Sequence, residues 1–175
     1  LGWIGKNTML INPEIGSWTL LAEAMLDLDL SPDNPLATDY CGSCTRCIDA
    51  CPTEAILTDP RRVDSRRCIS YWTIEVKGNI EPETRANIGD WIFGCDICQD
   101  VCPWNIRFAS KHTDPAFTPR HPAPHPDLKE IVDLSQAEYT RIFRLSPIKR
   151  TKRSGLIRNA TVALGNSKDP RATST

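Results

Sequence analysis

Eight cysteines fall in two runs, Cys41-x2-Cys44-x2-Cys47-x3-Cys51-Pro52 and Cys95-x2-Cys98-x3-Cys102-Pro103, with Cys68 between them. Thiolates are soft donors, and cysteines two residues apart can each reach one corner of an iron–sulfide cube. The first run has the bacterial ferredoxin spacing, in which the fourth cysteine usually serves the neighbouring cluster. Two such runs imply two 4Fe–4S clusters with exchanged fourth ligands. The second run is one cysteine short, and Cys68 fits the gap. Cys41, Cys44, Cys47 and the distant Cys102 then hold one cluster, while Cys95, Cys98, Cys68 and the distant Cys51 hold the other. Each terminal Cys-Pro stops the local turn and points the last thiolate away from its companions. No cysteine remains for a nucleophilic role.

Zinc and disulfides are the competing uses. Zinc sites usually draw four ligands from two separated pairs, whereas Cys41 to Cys51 packs four cysteines into eleven residues. Cysteines this dense are sterically poor disulfide partners, and the chain shows no signal peptide. Other chemistries lack their residues. Gly2-x-x-Gly5-Lys6 is too short for a phosphate-binding loop and has no Ser/Thr after the lysine. There is no Gly-x-Gly-x-x-Gly for a nicotinamide cofactor and no Ser/His/Asp arrangement. His112, His121 and His125 sit irregularly among prolines and read as surface residues rather than metal ligands.

The elements that carry the thiolates must come from an ordinary globular composition. The chain has 175 residues, 40% of them apolar and 25% charged, enough for one core with a smaller appendage. No apolar run approaches the ~20 residues of a membrane helix, so no membrane association is expected. Fourteen prolines against nine glycines predict long ordered loops. Oxygen-sensitive clusters on reduced thiols imply a cytoplasmic setting. Leu1-Gly2-Trp3 looks like packed interior rather than a natural start, and we expect a piece of a longer protein.

Thr8 to Ile11 is a short apolar run before the turn signal Asn12-Pro13-Glu14-Ile15-Gly16-Ser17. Trp18 to Leu30 ends in strict alternation, Leu26-Asp27-Leu28-Asp29-Leu30, the period of a half-buried strand, and a hairpin is expected there rather than a helix. Short turns and one helical turn should carry Cys41 to Cys51. Asp64 or Ser65 can cap a helix that carries Cys68 to about Val76, stopped by Gly78. Pro82 to Ile88 reads as a helix with proline in its first turn, and Trp91 should continue helically through Cys95 and Cys98. Pro103 to Pro126, with six prolines, predicts an extended loop. Ser135-x-x-Glu138 is a capping box ahead of Tyr139, Ile142 and Phe143. Ser154 to Leu164 forms a second amphipathic helix closed by Gly165, and the two could begin an α-solenoid.

Net charge is −1, but the sum conceals a split. Tyr139 to Lys168 holds eight bases and no acid: Arg141, Arg144, Lys149, Arg150, Lys152, Arg153, Arg158 and Lys168. The remaining residues carry 13 basic against 22 acidic side chains. A basic end on an acidic body suggests a polyanionic partner; a solvated helix face is the plainer alternative.

The segments Gly2-Trp3-Ile4-Gly5-Lys6-Asn7-Thr8, Asn12-Pro13-Glu14-x-Gly16-Ser17-Trp18, the first cysteine run, Cys68-Ile69-Ser70-Tyr71-Trp72-Thr73-Ile74-Glu75 and Cys95-Asp96-x-Cys98-Gln99-x-Val101-Cys102-Pro103-Trp104-Asn105 together resemble the epoxyqueuosine reductases. Arg153-Ser154-Gly155-Leu156-x-Arg158-Asn159-Ala160 resembles the same family, in which HEAT-like helices follow the cluster domain. The resemblance implies an α+β fold in three parts. These are the C-terminal part of a cobalamin-binding α/β domain (1–36), a two-cluster ferredoxin-like domain with a Pro-rich loop (37–126), and the truncated start of a HEAT-like α-helical domain (127–175).

It further implies an oxidoreductase that reduces the epoxide of epoxyqueuosine to queuosine at the wobble position of transfer RNA. Electrons would pass through two 4Fe–4S clusters to cobalamin, while a proton donor assists oxygen departure. Asn7, Thr8, Ser70, Cys95 and Asp96 match residues near cobalamin in the family. The family's proton-donating aspartate lies upstream of the Gly-Trp-Ile-Gly segment, so no catalytic residue is assigned and this chain alone is expected to be inactive. Implied partners are the modified transfer RNA and an electron donor such as a flavodoxin or ferredoxin, met by a monomer. Reversing Lys149, Arg150, Lys152 and Arg153 to glutamate in the full-length protein should abolish transfer RNA binding. A stand-alone two-cluster ferredoxin module, a zinc-stabilised nucleic-acid-binding module and a corrinoid reductive dehalogenase are the alternatives.

Overall fold

The computed structural model describes residues 1–36, 38–110, 114–119 and 125–167. His112, His121 and Lys168 lie outside the described residues. Among the described residues helices are the main regular structure, with two small antiparallel sheets of two strands each. It divides into two compact units, one of Leu1–Val63 with Asp96–Lys111 and one of Asp64–Cys95 with His112–Thr175. These units run across the three segments expected from the sequence.

The first unit opens on a tight hairpin, β1 (Trp3–Ile4) and β2 (Leu10–Ile11), in which Trp3 pairs with Ile11. The Asn12–Ser17 turn follows, with Asn12 bridged to Gly16. Gly16 takes φ +76°, and a side chain there would meet the Asn105 amide oxygen at 2.3 Å, so the turn needs glycine. The expected hairpin through Leu30 does not form. From Trp18 to Leu36 the described chain is neither strand nor helix, and Leu20 is 85% and Met25 100% exposed. The alternating pattern is real, but a strand takes its hydrogen bonds and covered face from a neighbour. Among the described residues no strand lies beside this segment.

The cysteine-bearing remainder of this unit consists of short pieces. One helical turn, α1 (Arg46–Asp49), sits inside the first cysteine run as expected. A second hairpin follows, β3 (Ile56–Thr58) with β4 (Arg61–Val63). Helix α4 (Ile97–Asp100) packs against α1, and α5 (Pro103–Phe108) follows directly. Two expectations fail here. Trp91 to Asp96 is not helical, because Gly94 at φ +78° leaves the helical region. Pro103 begins a helix rather than a loop, since proline suits a first helical position whose N–H would go unused anyway. The buried core of this unit is Trp3, Ile11 and Cys102, with Cys41 and Trp104 against it.

The second unit is built of helices. Asp64 caps only a 3-10 turn, Ser65–Arg67, by accepting from the Arg66 N–H, and the chain is extended at Cys68 before α2 (Ile69–Ile74). The single expected helix is therefore broken at the cysteine. Helix α3 (Pro82–Ile88) has the predicted bounds. After α6 (Leu128–Asp133), the predicted capping box opens α7 (Gln136–Ile142), with Ser135 and Glu138 reciprocally bonded. Helix α8 (Lys152–Asn166) starts two residues earlier than expected and runs through Gly165. Ile131, Leu134, Tyr139, Phe143, Leu156 and Ala160 form the main core, and Ile69, Ile80 and Ile88 form a second one with Val162 against it. Asn159 is fully buried and donates to the carbonyls of Thr73 at 2.7 Å and Ile92 at 2.8 Å.

Candidate metal centre

Four of the predicted ligands come together within the first unit. Cys41, Cys44, Cys47 and Cys102 line one cavity of about 160 Å³, closed by Lys6, Asn7, Ile11, Tyr40, Pro103 and Trp104. That is far more room than the ~10–15 Å³ a single water requires. Local rules place each thiol. Asp39 accepts from the Cys41 N–H at 2.9 Å, and the Cys44 N–H closes a turn on the Cys41 carbonyl at 3.0 Å. Cys47 rides on α1, whose first turn begins at Thr45. Cys102 precedes the proline that opens α5, which fixes its backbone as extended at φ −69°.

The cavity wall is aromatic and its rim is polar. Trp3 meets Trp104 edge-on at 4.8 Å and Tyr40 at 5.1 Å. The Trp3 indole N–H donates to Cys41 Sγ at 3.5 Å. Lys6 Nζ donates to the carbonyls of Gly42 at 2.7 Å and Cys44 at 2.9 Å. Burial pushes the Cys47 thiol up, and the thiolates of Cys41, Cys44 and Cys102 push the same way. Among the described residues no three His, Cys, Asp or Glu side chains close around a single metal ion. No disulfide links any of the eight cysteines.

The other four cysteines have separate settings. Cys51 and Cys98 belong to the first unit, Cys68 and Cys95 to the second. Burial works against the Cys51 thiolate, but the Thr53 hydroxyl and the N–H groups of Ala55, Thr53 and Ile56 outweigh it and lower the thiol. Cys98 sits on α4, and its carbonyl accepts from the Asn7 amide at 3.2 Å. Cys68 is the residue ahead of α2, and Cys95 packs against Ile69, Ile80 and Ile88.

Of the residues matched to cobalamin contacts, Asn7 is only 2% exposed and both ends of its amide are used. It donates to Cys98 and accepts from the Met9 N–H at 3.2 Å. Thr8, Ser70 and Cys95 are half-buried. Asp96 reaches solvent, yet partial desolvation raises its carboxyl, Asp100 pushes the same way, and a bond from Gln99 opposes both. Sequence reasoning did not single out Trp3, Ser17 or Asn105. Their common signal was membership of the motif segments, which placed them near the cysteines without saying what they touch.

Residues 40–105 match the model of a 4Fe-4S double cluster binding domain. Over nearly its whole length the chain is similar to epoxyqueuosine reductases. It is 49% identical to that of Cellulophaga algicola, over 91% of this chain and 51% of the relative. It is 45% identical to that of Pseudomonas aeruginosa, over 95% and 46%. The chain thus spans about half the length of the curated relatives it matches. The solved epoxyqueuosine reductase of Bacillus subtilis superposes with a TM-score of 0.89 at 38% identity, over 98% of this chain and 45% of that one. A crystal structure of an epoxyqueuosine reductase with an epoxyqueuosine-modified tRNA-Tyr stem loop also matches, with a TM-score of 0.89 at 38% identity, over 98% and 44%.

Proposed function

We propose that this chain is the iron–sulfur portion of an epoxyqueuosine reductase, an oxidoreductase that converts epoxyqueuosine to queuosine in transfer RNA. The observation that carries the reading is the convergence of Cys102 with Cys41, Cys44 and Cys47 on one cavity, in a chain whose homologues bear that name. Soft, crowded thiolates fit a 4Fe–4S cluster, which these four would hold. Ligand count assigns Cys51, Cys68, Cys95 and Cys98 to a second cluster. When bound, the clusters supply single-electron transfer.

This chain's residues position those thiolates and set aromatic rings beside them. The Asp39 carboxylate and the α1 turn fix the first run, while Trp3, Tyr40 and Trp104 wall the cavity.

Cobalamin fits less completely. Thr8, Ser70, Cys95 and Asp96 retain accessible surface for it, and bound cobalamin would supply the cobalt chemistry of the reduction. Asn7 is consumed internally and serves instead to hold the turn after β1 to the second cysteine run. In this reading residues 1–36 complete a cobalamin-binding α/β domain, 37–126 form the cluster domain and 127–175 begin the HEAT-like helices. The protein is a cytoplasmic monomer, supplied by a flavodoxin- or ferredoxin-type donor. No helix among the described residues is long and apolar enough to cross a membrane.

The test is anaerobic reconstitution with iron and sulfide, followed by iron, zinc and cobalt analysis and binding of a modified anticodon stem loop. About eight irons per chain with visible absorbance are expected. A colourless chain with about two zincs would support the zinc module instead. Iron without affinity for cobalamin or the stem loop would leave a plain ferredoxin module.

A further inference from the structure

We infer that the β1–β2 hairpin is a redox-tuning element, in which Trp3 and Lys6 raise the reduction potential of the cluster on Cys41, Cys44, Cys47 and Cys102. The inference rests on that cluster being present, as proposed above.

Trp3 is 5% exposed, and an indole nitrogen can only donate. A buried indole N–H normally finds an acceptor, and here the atom in reach is Cys41 Sγ at 3.5 Å. Lys6 is pinned at two points, by Gly42 O at 2.7 Å and Cys44 O at 2.9 Å. Both of these acceptors are neutral carbonyls, so the bonds hold the ammonium in place without neutralising it. It stands on the loop that carries three of the four thiolates and lines the same cavity.

Reduction adds one negative charge to a cluster whose thiolates are already anionic. An N–H···S bond and a fixed cation both favour the more negative form over the less negative one. The two residues are three apart in sequence, and the hairpin is what brings them to the same cysteine loop. Trp3 reaches it from β1, while Lys6 reaches it from the turn that the Gly5 N–H closes on Met9 O at 2.9 Å. Both act through the cysteine loop and are positioning residues.

The experiment is a potentiometric titration of the reconstituted full chain, followed by electron paramagnetic resonance, for wild type, Trp3→Phe, Lys6→Met and Lys6→Arg. Trp3→Phe keeps a smaller aromatic ring and removes the donor; Lys6→Arg keeps the charge. In both Trp3→Phe and Lys6→Met, one of the two one-electron waves should shift down. Near its midpoint the reduced-to-oxidised ratio should fall about tenfold, or about 59 mV for one electron. The other wave should stay in place, and Lys6→Arg should restore the wild-type position. Waves that do not move in variants carrying about eight irons would overturn the inference and leave the cluster reading intact. So would a Lys6→Arg wave displaced as far as that of Lys6→Met. A wild-type chain that takes up no iron would overturn the cluster reading itself. If Lys6→Met alone loses iron, Trp3→Phe decides.

Discussion

Asn105 and Ser17, 88 residues apart, bond reciprocally in the interior of the first unit. The Ser17 N–H donates to Asn105 Oδ1 at 2.6 Å, and Asn105 Nδ2 donates back to Ser17 Oγ at 2.9 Å. A third bond, Asn105 Nδ2 to Gln99 O at 2.9 Å, ties the pair to the second cysteine run. Two segments that look unrelated in sequence thus set the position of Cys102, three residues before Asn105.

Asn105→Ala should destabilise the chain by about 1–3 kcal/mol, because it leaves the buried Ser17 N–H without a partner. Gly16→Ala should also destabilise, through its positive φ and the clash with Asn105 Oδ1. Urea unfolding of both single variants and the double variant checks this. The clash with Oδ1 is removed once Asn105 is alanine, although the Asn105 Cα still crowds the position, so the two effects should sum to more than the double variant loses.

Ligand partition predicts a selective loss. Cys41→Ser with Cys102→Ser should halve the iron of the reconstituted chain, from about eight to about four. Cys51→Ser with Cys68→Ser should remove the other half. Iron analysis and absorbance measure it, and equal retention in either double variant would contradict the assignment.

The basic segment divides into two roles. Arg158 donates to the carbonyls of Trp72, Val76 and Gly78 at 2.8–2.9 Å and so secures the end of α2. Arg153 bonds the Leu134 carbonyl, and Arg150 pairs with Glu75 at 2.6 Å. Arg158→Ala should therefore lower stability by about 1.5–3 kcal/mol for its charge-assisted bonds. Lys149→Glu with Lys152→Glu should leave unfolding unchanged and weaken stem-loop binding. The slope of log affinity against log salt should fall by about 0.7–0.9 per lost phosphate contact.

Asp39 links three pieces of the first unit. It accepts from the Cys41 N–H, pairs with Arg61 at 2.7 Å, and Arg61 also donates to Ile4 O at 3.1 Å. Its hydrogen bond from Arg61, followed by that from Cys41, holds the carboxyl below its ordinary value. A depressed folded value gives stability that is present above the unfolded carboxylate range and lost as pH falls through the folded one. The pair is partly exposed, so no more than about 1 kcal/mol is expected. Asp39→Asn should be less stable than wild type near neutral pH. That difference should vanish as pH drops below about 4, measured by denaturant titration across the acid range.

The sequence by itself determined the number and spacing of the cysteines, the α1 turn, the bounds of α3 and the capping box of α7. Those rest on local chemistry: thiol spacing, proline at a first helical turn, and a serine and glutamate three residues apart. Tertiary structure alone decided that Trp18–Leu30 has no strand partner among the described residues, that Arg158 faces carbonyls rather than solvent, and that Trp3 and Lys6 reach the cysteine loop. In each of these the outcome depends on groups more than thirty residues away or on a neighbouring strand. A residue's own type states what bond it can make, but only the folded chain states which group arrives to accept it.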